Sequence, residues 1–350
     1  MIELLKKMIS IPSFSREETA VADVLQRWME GNGLSVHRKG NNVWTSSSDA
    51  DDSRPTLLLN AHIDTVRPAA GYRRDPFTPQ LEGDRLYGLG SNDDGGSVIA
   101  LLAAYMQLTS RPQPYRLVYS ATAEEEVCGA GGVESILDDI GHIHLGIIGE
   151  PTGMQMAVAE RGLLVLDCTA HGISGHAARN EGVNALYIAL DDTEWFRTYQ
   201  FERVSEFLGT VKMSVTMMEC GTQHNVVPDT CRFVVDVRPN GMYTNQQIVD
   251  VIRQHVTSDV TPRSLRHNSS SIPLTHPVVQ RGLQLGLTPF GSPTTSNQTV
   301  LPQFPTLKIG PGDSARSHTA DEFICLSEIS QATELYVSLL DNLQILPFGN

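Results

Sequence analysis

The chain has 350 residues, 40% of them apolar, and a formal net charge of −14. This length predicts two domains and a core large enough to fold without a disulfide or metal staple. The acidic balance argues against nonspecific binding to nucleic acid or to an anionic membrane, and no apolar run approaches the 18 residues of a membrane span.

Met1–Lys7 lacks the basic-then-apolar order of a signal peptide and reads as the first turns of an amphipathic helix. The five cysteines (Cys128, Cys168, Cys220, Cys231 and Cys325) are scattered and form no CxxC pair, a pattern that predicts free thiols in a reducing cytoplasm. Ser15 and Glu18 have capping-box spacing, and Val21, Val24, Leu25, Trp28 and Met29 define one helix face that Gly31-Asn32-Gly33 ends. Residues 46–54, rich in Ser and Asp, read as an exposed loop.

Three apolar runs have strand character: Thr56–Asn60, Tyr115–Ala121 and Leu145–Ile148. Val98–Leu108, between the first two, reads as a buried helix. Strands alternating with helices predict an α/β sheet covered on both faces, with ligands at the carboxyl ends of the strands. After about residue 160 the texture changes. Leu163–Ala170, Val211–Met217 and Arg232–Val237 read as strands, and Asn184–Tyr199 and Asn245–Val256 as helices, which together suggest a compact α+β module. Ile272–Gly286 returns to helix, Thr306–Ile309 to strand, and Leu326–Leu343 to a terminal helix.

Acids and histidines stand where strands end. His62-Ile63-Asp64 follows the first apolar strand, Glu124-Glu125-Glu126 the second and Glu150-Pro151 the third. Asn92-Asp93-Asp94-Gly95-Gly96 precedes the buried helix, and Ser317-His318-Thr319 follows the Gly310-Pro311-Gly312 loop. Each motif alone has an ordinary reading: a hydrogen-bonded loop pair, a solvated helix start, a turn. Gly88-x-Gly90 with Gly95-Gly96 is similar to a phosphate loop, but it has no Lys-Ser/Thr and its two aspartates repel phosphate. Several carboxylates on one sheet rim repel one another, and a divalent cation removes that conflict. Imidazole and carboxylate ligands suit Zn²⁺, or else Co²⁺ or Mn²⁺. In extended chain His62 and Asp64 share a face, so Asp64 can accept the second ring N–H of His62.

These motifs, in this order, resemble those of the acetylornithine deacetylase / succinyl-diaminopimelate desuccinylase family of dinuclear zinc metallohydrolases, which includes aminoacylase and glutamate carboxypeptidase. The resemblance runs from Ile11-Pro12-Ser13 to the last helix. It implies a zinc-peptidase-like α/β catalytic domain with a central mixed sheet between helices, and an inserted two-layer α+β lid used for dimerisation. The corresponding bounds are 1–162 and 273–350 for the catalytic domain and 163–272 for the lid. It implies that His62 and Glu150 bind one metal ion, that Glu126 and His318 bind the other, and that Asp93 bridges them ahead of a cis peptide to Asp94. It further implies that Asp64 supports His62, that Glu125 is the general base, and that His176, in Gly175-His176-Ala177, polarises the substrate carbonyl. Asn225, Arg238, Arg161 and Gly312 are implied substrate contacts. Leu89, Asp94 and Asn297 depart from the residues usual in the family at those places. The expected activity is release of an N-acyl group from an amino acid, with N-acetylornithine of arginine biosynthesis first. N-succinylornithine, succinyl-diaminopimelate, acetyl-lysine and dipeptides follow as alternatives. With every implied ligand and Glu125 present, a non-enzymatic scaffold is disfavoured.

Overall fold

The computed structural model describes residues 1–48, 53–179 and 181–345. They divide into two compact units, one of Met1–Val158, Ser271–Phe290 and Ser296–Asn350, the other of Ala159–Ser270 and Gly291–Thr295.

The first unit is α/β, as the alternation of elements predicts. Thr56–His62, Arg116–Thr122, Leu145–Ile148 and Thr306–Lys308 run parallel in one sheet. Antiparallel neighbours, Asn42–Ser46 beside Arg116–Thr122 and Met156–Glu160 beside Thr306–Lys308, make the sheet mixed. All seven residues of Thr56–His62 and of Arg116–Thr122 are buried, the signature of strands covered on both faces. The helix Gly96–Thr109 is apolar almost all round and packs with the terminal helix Leu326–Leu340. Val133, Ile136 and Ile140 pack in a separate apolar cluster with Leu58, Val118, Ile148 and Phe304. Because the central strands are parallel, their carboxyl ends share one rim, which is where the acidic and histidine motifs emerge.

The second unit is an antiparallel sheet ordered Lys212–Cys220, Thr230–Arg238, Leu164–His171 and Asp259–Pro262. The helices Ala185–Thr198 and Asn245–Arg253 complete its core with Phe196, Phe233, Val235, Ile248 and Ile252. Strand Leu164–His171 alternates buried and half-buried residues, as a sheet with one covered face requires.

Three local expectations change, and one ordinary reading, the helix start at Glu124–Glu126, is excluded. Ser15 and Glu18 do not form a capping box: Ser15 Oγ donates to Asp64, and Glu18 accepts from the backbone of Arg16 and Glu124. The helix expected from Ile272 starts only at Pro277, whose fixed φ and missing N–H suit a first helical position. The Glu124–Glu126 run is a turn and not a helix start. Ser46 closes a strand and so departs from the loop expected over 46–54, of which 49–52 lie outside the described residues. Val36–Lys39 and Asn42–Ser46 form a hairpin that apolar runs did not reveal.

No helix among the described residues is long and apolar enough to cross a membrane.

Candidate dinuclear metal site

His62 is the last residue of its strand and is almost fully buried. Its Nε2 lies 3.0 Å from Asp93 Oδ1 and 3.9 Å from Glu125 Oε2. Its Nδ1 faces the Asp64 backbone carbonyl at 2.9 Å, with the Asp64 carboxylate farther away at 3.4 Å. Asp64 therefore orients the ring chiefly through its main chain. Its carboxylate accepts hydrogen bonds from Ser15 Oγ (2.7 Å) and from the backbone N–H groups of Glu125 (3.0 Å) and Glu126 (3.1 Å). One fully buried side chain thus fixes the turn that presents both glutamates.

Glu18, also fully buried, holds the start of the same turn, accepting from Glu124 N at 3.2 Å and from Asn41 Nδ2 at 2.7 Å. Glu124 and His318 both adopt left-handed backbone (φ 59°), uncommon for residues with a Cβ and concentrated at functional sites. His318 Nε2 lies 3.0 Å from Glu126 Oε1 and 3.7 Å from Asp93 Oδ2. The peptide Asp93–Asp94 is cis.

Two groups of ligand atoms emerge. Those of Asp93, Glu126 and His318 lie within 4.8 Å of one another, as do those of His62, Glu125 and Glu126. Imidazole nitrogens and carboxylate oxygens converging at a rim that runs from buried His62 to exposed His318 fit a pair of divalent ions. Glu150 belongs to neither group, and its carboxylate stands 4.0 Å from Lys308 Nζ, both side chains buried.

The charges of this rim are in conflict. Burial, reinforced by Glu126, Asp64 and Asp93, pushes Glu125 well above the usual carboxylate range. Burial likewise raises Glu150 despite Lys308, and raises Asp94 to about 7. Burial alone would lower His62, yet its hydrogen bonds to Asp64 and Asp93 carry it well above its ordinary value. The hydrogen bond to Glu126 lifts His318 to about 9. Asp94 Oδ1 is buried without a hydrogen-bond partner. Divalent cations at this rim would settle the same conflict of charge. Chelation is therefore expected to lower the melting temperature by about 5–10 °C, because ligands held at ~1,000 times their dissociation constant contribute about 4 kcal/mol. Differential scanning calorimetry with and without EDTA measures this, and an unchanged transition would contradict metal binding.

The remaining predicted residues fall in several places. Gly312 (φ 85°) abuts the Asn92 side chain so closely that a Cβ would collide with it. His176 and Asn225 are brought together in the second unit: Gly175-His176 pairs with Val226-Val227, and Ala177 N donates to the Asn225 carbonyl at 3.1 Å. Both side chains are exposed. Arg161 is buried and donates to the carbonyls of Thr210, Arg238 and Leu208. Arg238 makes a bidentate pair with Asp236 (2.7 and 3.0 Å) and donates to Thr295 Oγ1. Both guanidinium groups are thus engaged within their own unit. Asn297 donates to Asn60 Oδ1 at 2.9 Å in a buried network with Ser120 and Thr122. Sequence reasoning assigned no role to Ser15 or Glu18 beyond a helix cap, nor to Glu322 and Lys308. Their partners are distant in the chain, so no local spacing signals them.

The sequence profile of peptidase family M20/M25/M40 matches residues 58–342, and the chain belongs to that family. It is 26% identical over 377 aligned residues to an acetylornithine deacetylase of Proteus mirabilis, covering 97% of this chain and 96% of that one. To a succinyl-diaminopimelate desuccinylase of Ruegeria sp. it is 25% identical over 276 residues, 73% of this chain and 69% of that one. Among solved structures, aminopeptidase PepT from Bacillus cereus superposes with a TM-score of 0.78 at 17% identity, covering 97% of each chain. The protein is a metal-dependent amidohydrolase of this family with an α/β fold.

Proposed function

We propose that the protein removes the acyl group from an N-acyl amino acid, N-acetylornithine first, in arginine biosynthesis. The observation that carries the hydrolytic reading is Glu125, a carboxyl raised by burial and grouped with the ligand atoms of His62 and Glu126. The choice of substrate is supported by the near full-length likeness to an acetylornithine deacetylase. A succinylated substrate is the second reading, supported by the likeness to a desuccinylase.

His62, Asp93, Glu126 and His318 would hold two divalent ions, zinc foremost with cobalt or manganese as alternatives, and Glu150 would complete the set. The ions, when bound, supply Lewis-acid polarisation of the amide carbonyl and a more acidic water. Glu125 takes the proton as water attacks the carbonyl carbon, and a raised carboxyl is a better base near neutral pH than an ordinary one. As the C–N bond breaks, Glu125 returns that proton to the departing amine, leaving a carboxylate and a free amino acid. His176 is assigned to donate to the developing oxyanion. Arg238, Asn225, Arg161 and Gly312 are assigned to the substrate side.

A panel of acetylornithine, succinylornithine, succinyl-diaminopimelate, acetyl-lysine and unblocked dipeptides, assayed with Zn²⁺ or Co²⁺, tests this reading. Preferential release of acetate from acetylornithine is expected, and turnover confined to unblocked dipeptides would overturn it.

The compartment proposed is a reducing cytoplasm, supported by five cysteines that form no disulfide among the described residues. A homodimer through the second unit is also proposed. Its support is the edge strand Lys212–Cys220, on which Met217 and Met218 are 65% and 41% exposed. Met217→Asp is expected to shift the sedimenting species from dimer to monomer in analytical ultracentrifugation. A parent protein that sediments as a monomer would refute the dimer.

A further inference from the structure

Glu322 lies four residues beyond His318 and is buried to 2% exposure. Its carboxyl accepts three backbone hydrogen bonds from the loop that carries Asp93: Asn92 N at 2.8 Å, Asp93 N at 2.9 Å and Gly90 N at 3.1 Å. Its own carbonyl accepts a fourth, from Gly88 N at 3.0 Å. Convergent backbone N–H groups around a left-handed residue form a concavity that selects anions. Gly90 supplies the left-handed step (φ 73°), and a Cβ there would strike Thr65. The concavity is thus built into the chain, and the Glu322 carboxyl fills it.

The location gives this plug a consequence. Asp93 reaches His62 on one side and His318 on the other. Its backbone has no helical geometry to hold it (φ −122°, ψ 95°). Its N–H is held by Glu322, and the neighbouring Asn92 side chain exchanges two hydrogen bonds with the Asp313 backbone, at 3.0 and 3.1 Å. The segment 313–322 therefore grips the Asp93 loop from two sides while presenting His318.

We infer that Glu322 is a positioning residue, whose carboxyl occupies an anion nest at Gly90, Asn92 and Asp93 and so sets the Asp93 carboxylate between His62 and His318. This inference rests on the metal-dependent reading above. Glu322 touches no reacting atom in it.

Zinc titration by isothermal calorimetry, on the full chain stripped with chelator, tests the inference. Glu322→Ala empties the nest and is expected to weaken zinc binding by about 10–100-fold, the usual effect of losing a group that orients a ligand. Formate, a carboxylate small enough for the vacated space, is expected to restore at least tenfold of that loss. Chloride at equal ionic strength is not, and the parent is expected not to respond to formate. A merely structural side chain gives no such anion-specific rescue. Glu322→Gln, which keeps one acceptor oxygen and brings an amide donor against a backbone N–H, is expected to fall between parent and Ala. If the Ala variant does not fold, Gln decides: a loss below twofold overturns the inference. So does an Ala variant that binds zinc within twofold of the parent, or whose loss chloride restores as well as formate. A parent that binds no zinc overturns the metal reading itself and this inference with it, whereas a zinc-binding parent with unaffected variants overturns this inference alone.

Discussion

Glu125→Gln is expected to lower kcat by about 10²–10⁴-fold while zinc content is retained. Gln keeps the shape and the backbone N–H bonded to Asp64, but it cannot carry a proton from water to the leaving amine. The stability readout moves the other way. The Glu125 carboxyl is raised in the folded protein by burial and by Glu126, Asp64 and Asp93. A carboxyl with a folded pKa above its unfolded value costs stability as pH rises from the unfolded to the folded value, because the unfolded chain ionises first. At neutral pH the neutral amide removes that cost, so the metal-free variant is expected to melt above the metal-free parent. Lost activity with gained stability marks a site whose strain serves function. Turnover within threefold of the parent would refute the base assignment, and a lower melting temperature would refute the electrostatic argument.

Asp64→Asn is expected to cost about 2–4 kcal/mol of stability and about 10²-fold in kcat/KM. Asp64 receives three hydrogen bonds on two oxygens, from Ser15 Oγ and from Glu125 N and Glu126 N. An amide has one acceptor oxygen, so its NH₂ must face at least one backbone donor inside a fully buried site. The glutamate turn then shifts or loses a hydrogen bond, which moves the proposed base and one proposed ligand together. Urea denaturation and steady-state kinetics measure the two effects. Changes below 0.5 kcal/mol and threefold would show that the turn holds itself, with Asp64 a passive neighbour.

The elements legible in the sequence are those whose signal is local and strong. Thr56–His62, Arg116–Thr122 and Leu145–Ile148 are continuous apolar runs because parallel strands are covered on both faces. Gly96–Thr109 was legible for the same reason, as an Ala/Leu-rich helix buried nearly all round. The hairpin Val36–Ser46 was not, because His37, Arg38 and Lys39 hide its alternation. Gln80–Glu82, Arg85–Tyr87 and Phe323–Cys325 span three residues each, too few for any period to register. At Ser15 and Glu18 the residue types suited a capping box, but the partners that compete for them, Asp64 and Glu124, lie 49 and 106 residues away.

By itself the sequence determined the alternation of strands and helices in the first unit, the placing of acids and histidines just past strand ends, and the family to which that order belongs. Those properties are written in short windows of chain: burial demands apolar runs, and ligand chemistry demands particular side chains next to them. The tertiary structure alone decided which atoms meet. It set His62 Nδ1 on a main-chain carbonyl, tied Arg161 and Arg238 to their own unit, stood Glu150 beside Lys308 and filled the Asp93 loop with Glu322. A hydrogen bond depends on a few tenths of an ångström between groups that can be 230 residues apart. No local pattern of residues encodes that distance. It follows only once the sheet has brought every strand end to one rim.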